Sequence, residues 1–164
     1  MNKDSSYQVC TSNEEVYVCI KNRASYLNCA PLRKFIENMI SEGCTKFVVD
    51  FQHCSGADST FLGILVGLAL ELSKSSNNDC LNLVNLSGRN LETVQNLGIH
   101  KIANVSSALI NNVKQLEELK GESENSSESS KEIYKAHKTL LELNEKNSKI
   151  FRDVVNYLEQ KNDQ

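Results

Sequence analysis

Apolar and polar positions alternate with period two over Tyr7-Gln8-Val9-Cys10-Thr11 and again over Val16-Tyr17-Val18-Cys19-Ile20. The residues between them, Ser12-Asn13-Glu14-Glu15, form a turn, so the chain is expected to open on a β-hairpin with Val16, Val18 and Ile20 inward. Asn22 to Cys29 reads as a connection. Pro31 suits a first helical turn. Leu32, Phe35, Ile36, Met39 and Ile40 follow on one helical face, and Gly43 is expected to end that helix in a left-handed cap. Lys46 to Phe51 is an apolar run, expected as a central strand buried on both faces.

That strand runs into a polar, Gly-containing turn, and Asp58-Ser59-Thr60 then opens a stretch that is apolar almost without break to Leu72. The pattern predicts a helix from about Thr60 to Ser73, with Ser59 a candidate N-cap and Asp58 a helix-start carboxylate. A helix apolar nearly all round is either covered on every side or faces a partner. Gly63 and Gly67 share one face, which implies close approach to the sheet or to another chain.

Leu81 to Leu86 alternates as a strand. Ser87-Gly88 precedes a short helix with Leu91, Val94 and Leu97 on its inner face, ended by Gly98. Ile99 to Val105 is expected to hold a last short strand. Ser106 or Ser107 would then cap a helix carrying Leu109, Ile110, Val113, Leu116 and Leu119. The order ββαβαβαβα predicts an α/β fold with a largely parallel or mixed sheet.

Beyond residue 120 the character changes. Residues 121–130, rich in Ser and Glu, read as a linker, which divides the chain into a domain over 1–120, that linker, and a tail over 131–164. In the tail, Ile133, Ala136, Leu140, Leu143, Asn147, Ile150, Val154 and Tyr157 keep 3-4 spacing, predicting one long amphipathic helix. Asn147 falls at an a position, where a buried amide sets register in a coiled coil. Such a stripe must pack on a second copy through residues 131–161, on its own domain, or on a partner.

Composition removes several function classes. The net charge of −3, with no Lys/Arg-rich patch, argues against direct nucleic-acid binding. The N-terminus lacks an apolar core and no apolar run is long enough to span a membrane, so a cytoplasmic protein is expected. The six cysteines form no C-x-x-C, and His53, His100 and His137 offer no zinc-type spacing, so no metal is expected and the thiols read as reduced and mostly buried. No Gly-rich phosphate loop and no G-x-S-x-G elbow occurs, so neither an enzyme nor a cofactor site is expected. His53 could approach Ser59 from six residues upstream, but a loop histidine with a structural hydrogen bond is the commoner case. Ser59 itself has two readings: a plain cap, or a hydroxyl held where a helix start tolerates phosphate.

The stretch Asp58-Ser59-Thr60-x-x-Gly63, between a strand and an apolar helix, resembles the signature of the STAS domain, in particular of the bacterial anti-sigma factor antagonists. Pro31-Leu32-Arg33, Leu83-Val84-Asn85 and Leu97-Gly98-Ile99 fall where that family has matching elements. The resemblance covers residues 5–120 and implies a mixed sheet with packed helices. It implies that Ser59, or alternatively Thr60, is phosphorylated by an anti-sigma factor acting as a serine kinase, and that a serine phosphatase reverses this. It also implies a partner-binding surface made of Asp58, Ser59, Thr60, Phe61, Leu62 and Gly63. Phe61 replaces a glycine common in the family, and Asn22-Arg23-Ala24-Ser25 replaces its Gly-x-Leu-Asp. A non-switching STAS scaffold in a sensory or transport assembly, associating through the tail, is the alternative.

Overall fold

The computed structural model describes residues 6–74, 81–107, 115–121 and 125–163. Strands β1 (Tyr7–Ser12) and β2 (Glu15–Ile20) pair antiparallel, as the alternation predicts. Asn13 and Glu14 turn the hairpin at φ 50° and 66°, the double left-handed geometry that matches strand twist. Val16, Val18 and Ile20 are fully buried.

The next three residues, β3 (Asn22–Ala24), form a strand rather than a connection. Helix α1 (Ala30–Ser41) has Pro31 in its first turn and ends before Gly43, whose φ is 91°. Strand β4 (Lys46–Asp50) follows, then a short strand β5 (Cys54–Ala57) that pairs in parallel with β3 as a separate two-stranded sheet. Asn-Arg-Ala and Cys-Ser-Gly-Ala carry no apolar alternation, so this ladder is invisible to periodicity; backbone hydrogen bonds make it.

Helix α2 (Ser59–Ser73), strand β6 (Leu81–Val84), helix α3 (Gly88–Asn96), a 3-10 turn at Ile99–Lys101 and strand β7 (Asn104–Ser106) complete the alternating part. Gly98 ends the α3 region in left-handed backbone. The main sheet has the order β7-β6-β4-β2-β1-β8, where β8 is Glu117–Glu118. The pairs from β2 through β7 are parallel and those of β1 antiparallel, a mixed sheet with β4 at its centre.

The helix expected to carry Leu109 to Leu119 does not reach its end. Leu109, Ile110 and Val113 lie outside the described residues. Leu116 is exposed, Glu117 and Glu118 pair with β1, and the Leu119 N–H donates to the Tyr7 carbonyl at 3.0 Å. The free edge of β1 offers backbone donors and acceptors, and this segment satisfies them.

The tail is a hairpin, not one long helix. Helix α4 (Ser126–Leu143) starts inside the expected linker, capped by Asn125, and helix α5 (Glu145–Asn162) follows after one extended residue, Asn144. The Asn144 side chain accepts the Asn147 N–H at 2.8 Å, so the residue that breaks α4 is the N-cap of α5. Near the open end of the hairpin, Asn162 Nδ2 donates to the Ser130 carbonyl at 3.4 Å. The break rephases the helix. Asn147, Phe151, Val155 and Leu158 are buried, while Ile150, Val154 and Tyr157, expected on the inner stripe, are exposed. Asn147 is turned to its own domain: its Nδ2 donates to the Leu97 carbonyl at 2.9 Å.

Leu140, Phe151 and Val155 thereby join one hydrophobic core with the sheet and with α2. This explains the all-round apolar α2: the sheet lies under it, and α4 packs against its outer face.

Candidate functional site

Helix α2 starts where the β3–β5 sheet ends. The Asp58 N–H donates to the Ala24 carbonyl at 3.0 Å, which pins the junction. Asp58 is extended (φ −89°, ψ 174°), and its Oδ1 accepts the Phe61 N–H at 2.9 Å. Its Oδ2 accepts the Tyr26 N–H at 2.8 Å, tying the 26–28 loop to the helix start. The N-cap is therefore Asp58, and the expectation of Ser59 as cap is corrected. Extended backbone aims the Asp58 carboxylate at the third helical amide, a geometry the first helical residue does not have. Ser59 is that first residue, so the helix does not need its hydroxyl.

The hydroxyl is engaged elsewhere. Ser59 Oγ lies 2.8 Å from Nε2 of His137 on α4. His137 Nδ1 is 2.8 Å from the Ile133 carbonyl oxygen, which can only accept. In the neutral ring Nδ1 thus carries the proton, and Nε2 accepts from the serine. His137 is buried and stands edge-on to Phe151 at 5.8 Å between ring centroids. A backbone carbonyl holds the place that a carboxylate takes in a nucleophilic triad. The arrangement holds a hydroxyl in place at the positive end of α2.

One turn further on, Gly63 meets Ala136. A Cβ built on Gly63 would overlap the Ala136 carbonyl oxygen and lie 2.8 Å from the Ala136 Cβ. No side chain fits there, which is the reason for glycine at this position. Gly67, one turn beyond, faces open space and borders a groove of about 320 Å³ between α1, α2 and α4, with Arg33, Glu71 and Lys135 at its edges. Arg33 Nε pairs with Glu132 of α4 at 3.5 Å.

Of the residues expected on a partner-binding surface, Asp58 and Ser59 are half-buried, whereas Thr60, Phe61, Leu62 and Gly63 are buried. Phe61 belongs to the core, stacked on Tyr7 at 6.2 Å and edge-on to Phe51 at 6.3 Å. His53 is exposed in its turn, and the histidine at Ser59 comes instead from the tail, 78 residues away in sequence. No sequence signal pairs His137 with Ser59, although Ala136-His137 on an amphipathic stripe marks a small-plus-polar contact point.

Asp50, at the end of β4, is buried and saturated. It accepts from Tyr17 O–H at 2.6 Å, Gln52 N–H at 2.9 Å and Asn85 Nδ2 at 3.0 Å. Burial, and then the hydrogen bond to Asp50, hold the Tyr17 phenol well above its ordinary range. Burial first, and the charge of Asp58 second, push the Cys29 thiol up to about 11. Among the described residues no three His, Cys, Asp or Glu side chains are grouped as metal ligands. None of the described helices is long and apolar enough to cross a membrane.

Comparison with solved structures decides the fold. A Thermotoga maritima protein assigned as an anti-sigma factor antagonist superposes with a TM-score of 0.57 at 14% identity, covering 66% of this chain and 95% of that one. SpoIIAA of Bacillus, in its phosphorylated form, gives 0.52 at 20% identity, covering 62% and 91%. This is the STAS fold of the anti-sigma factor antagonists. A third antagonist, from Mycobacterium paratuberculosis, gives 0.50 at 15% identity over 66% of this chain and 93% of its own. No family model matches the chain, and no curated protein matches it. The STAS structures are covered almost whole, and roughly a third of this chain has no counterpart in them.

Proposed function

We propose that this chain is a protein-binding switch of the anti-sigma factor antagonist type, acting in the bacterial cytoplasm, with Ser59 as its phosphorylated residue. In this reading the unmodified chain binds an anti-sigma factor that is also a serine kinase and so frees a sigma factor. Phosphate on Ser59 ends that binding, and a serine phosphatase restores it. The partner would meet Asp58, Ser59 and the α2 face that carries Gly63, while Phe61 stays in the core.

The observation that carries the reading is the serine at the first position of α2, with its capping role taken over by Asp58. Its hydroxyl is not spent on the helix, and it stands at the helix end where added negative charge is tolerated. That the STAS fold is shared with SpoIIAA, solved in a phosphorylated form, supports the same conclusion. A phosphoserine would add about −1.5 to −2 charges next to Asp58, enough to turn a complementary acidic or apolar partner away. The fold would keep its cap, because Asp58 and not Ser59 makes it. Thr60, the other candidate acceptor, is only 4% exposed.

Intact mass and peptide mapping of the protein from its own cells test the reading. One phosphate on Ser59 supports it; no modification under any growth condition, or modification at Thr60 alone, overturns it. The scaffold alternative is not favoured, since the inner faces of α4 and α5, through Leu140, Phe151 and Val155, pack into the core of their own domain.

A further inference from the structure

We infer that the α4–α5 hairpin is an intramolecular gate on the Ser59 surface, so that the chain as folded is closed to both a kinase and a binding partner. The inference rests on the proposed function for what it gates, and on geometry for the gate itself.

Three contacts seat the hairpin on that surface. The Ser59 hydroxyl is held by His137 at 2.8 Å, Gly63 receives the Ala136 backbone, and Leu140 beyond them is fully buried. A fourth contact anchors the hairpin turn: Asn144 Nδ2 and Asn147 Nδ2 both donate to the Leu97 carbonyl, at 3.1 and 2.9 Å. The occupant is thus a named segment of this chain, seated by the His137 side chain on Ser59 and by Ala136, backbone foremost, on Gly63. It covers Ser59 and Gly63, two of the residues through which the switch would bind.

The closed state and the phosphorylated state exclude each other. Phosphorylation forms an Oγ–P bond as the terminal phosphoanhydride of a nucleoside triphosphate breaks; the hydroxyl proton goes to the kinase's base and the nucleoside diphosphate leaves. The new phosphoryl group has to occupy the space that the His137 imidazole fills at hydrogen-bond distance from Oγ. The hairpin must therefore leave before transfer and cannot reseat in the same place afterwards. Opening is a local event of the kind that costs less than global unfolding.

The test uses the full chain with Ser59→Cys as an accessibility probe, alkylated with a maleimide and read peptide by peptide by mass spectrometry. With the hairpin intact, the introduced thiol should react slowly. Adding Leu140→Glu, or separately Phe151→Glu, should speed its alkylation by roughly tenfold or more, the factor expected if docking holds the closed form by a modest local free energy. Buried Cys19 of β2 is the internal control and should stay unreactive in every variant, showing that the sheet domain remains folded. Equal rates at the introduced thiol with and without the hairpin substitutions, while Cys19 stays protected, would overturn the gate. If Cys19 reacts as well, amide hydrogen exchange of the unaltered chain takes over: α4 and the first turns of α2 must open together and before β4 and β6, and independent opening overturns the inference. A gated thiol at position 59, in a protein whose serine is never phosphorylated in cells, would leave the gate standing and remove the kinase reading.

Discussion

Gly63 of α2 and Ala136 of α4 cross so closely that a methyl group on residue 63 would overlap the Ala136 carbonyl. The neighbour is backbone and cannot rotate away. Gly63→Ala is therefore expected to destabilise the protein by about 1–3 kcal/mol, or to push the hairpin off α2. Gly67→Ala, with open space around its Cβ, should instead stabilise the protein by up to about 1 kcal/mol through helix propensity. Urea midpoints of the two variants check this, and a larger loss at Gly67 than at Gly63 would contradict the packing described.

Asp58 serves the helix and the loop at once, through the Phe61 and Tyr26 amides. Asp58→Ala should cost about 1–2 kcal/mol in chemical denaturation. Asp58→Asn keeps an accepting oxygen for the cap and should lose less. Equal losses would mean that charge, not capping, is the contribution.

Asn147 is fully buried and contacts its own domain through Leu97. Among the described residues its Oδ1 has no hydrogen-bond partner, an arrangement that costs stability. Asn147→Leu is expected to change the unfolding midpoint while leaving the oligomeric state in sedimentation unchanged. A shift in oligomeric state would restore the coiled-coil reading of the tail.

The Cys29 thiol, pushed up to about 11 from an ordinary 9.0, keeps its proton in the folded chain where the unfolded chain loses it. The folded state then binds more protons, so this contribution is intact below about pH 9 and is lost as pH rises through about 11. Denaturation between pH 8 and 11 should show stability falling, and Cys29→Ala should flatten that slope. Alkylation of Cys29 at about pH 8 should also be slow, because the reactive thiolate is scarce.

Much of the fold was legible because local periodicity reports burial. The hairpin, α1 with its Gly43 cap, central β4 and apolar α2 follow from side-chain spacing and from turn and cap chemistry. The resemblance carried by Asp58-Ser59-Thr60-x-x-Gly63 pointed to the STAS fold that the solved structures share. The β3–β5 ladder and β8 left no such trace, since backbone groups on short polar segments make them.

The sequence by itself determined that α2 is apolar on every side, that Gly63 and Gly67 share one face suited to a close neighbour, of which only Gly63 has one, and that the tail carries an apolar stripe in need of cover. Only the tertiary structure decided that these needs answer one another. One extended residue at Asn144 turns a long helix into a hairpin and rephases its second half, so Phe151, Val155 and Leu158 turn inward and Ile150, Val154 and Tyr157 outward. Spacing specifies which faces must be buried, but not what buries them. That choice is made by long-range closure, which brings His137 against Ser59 across 78 residues and which no local pattern encodes.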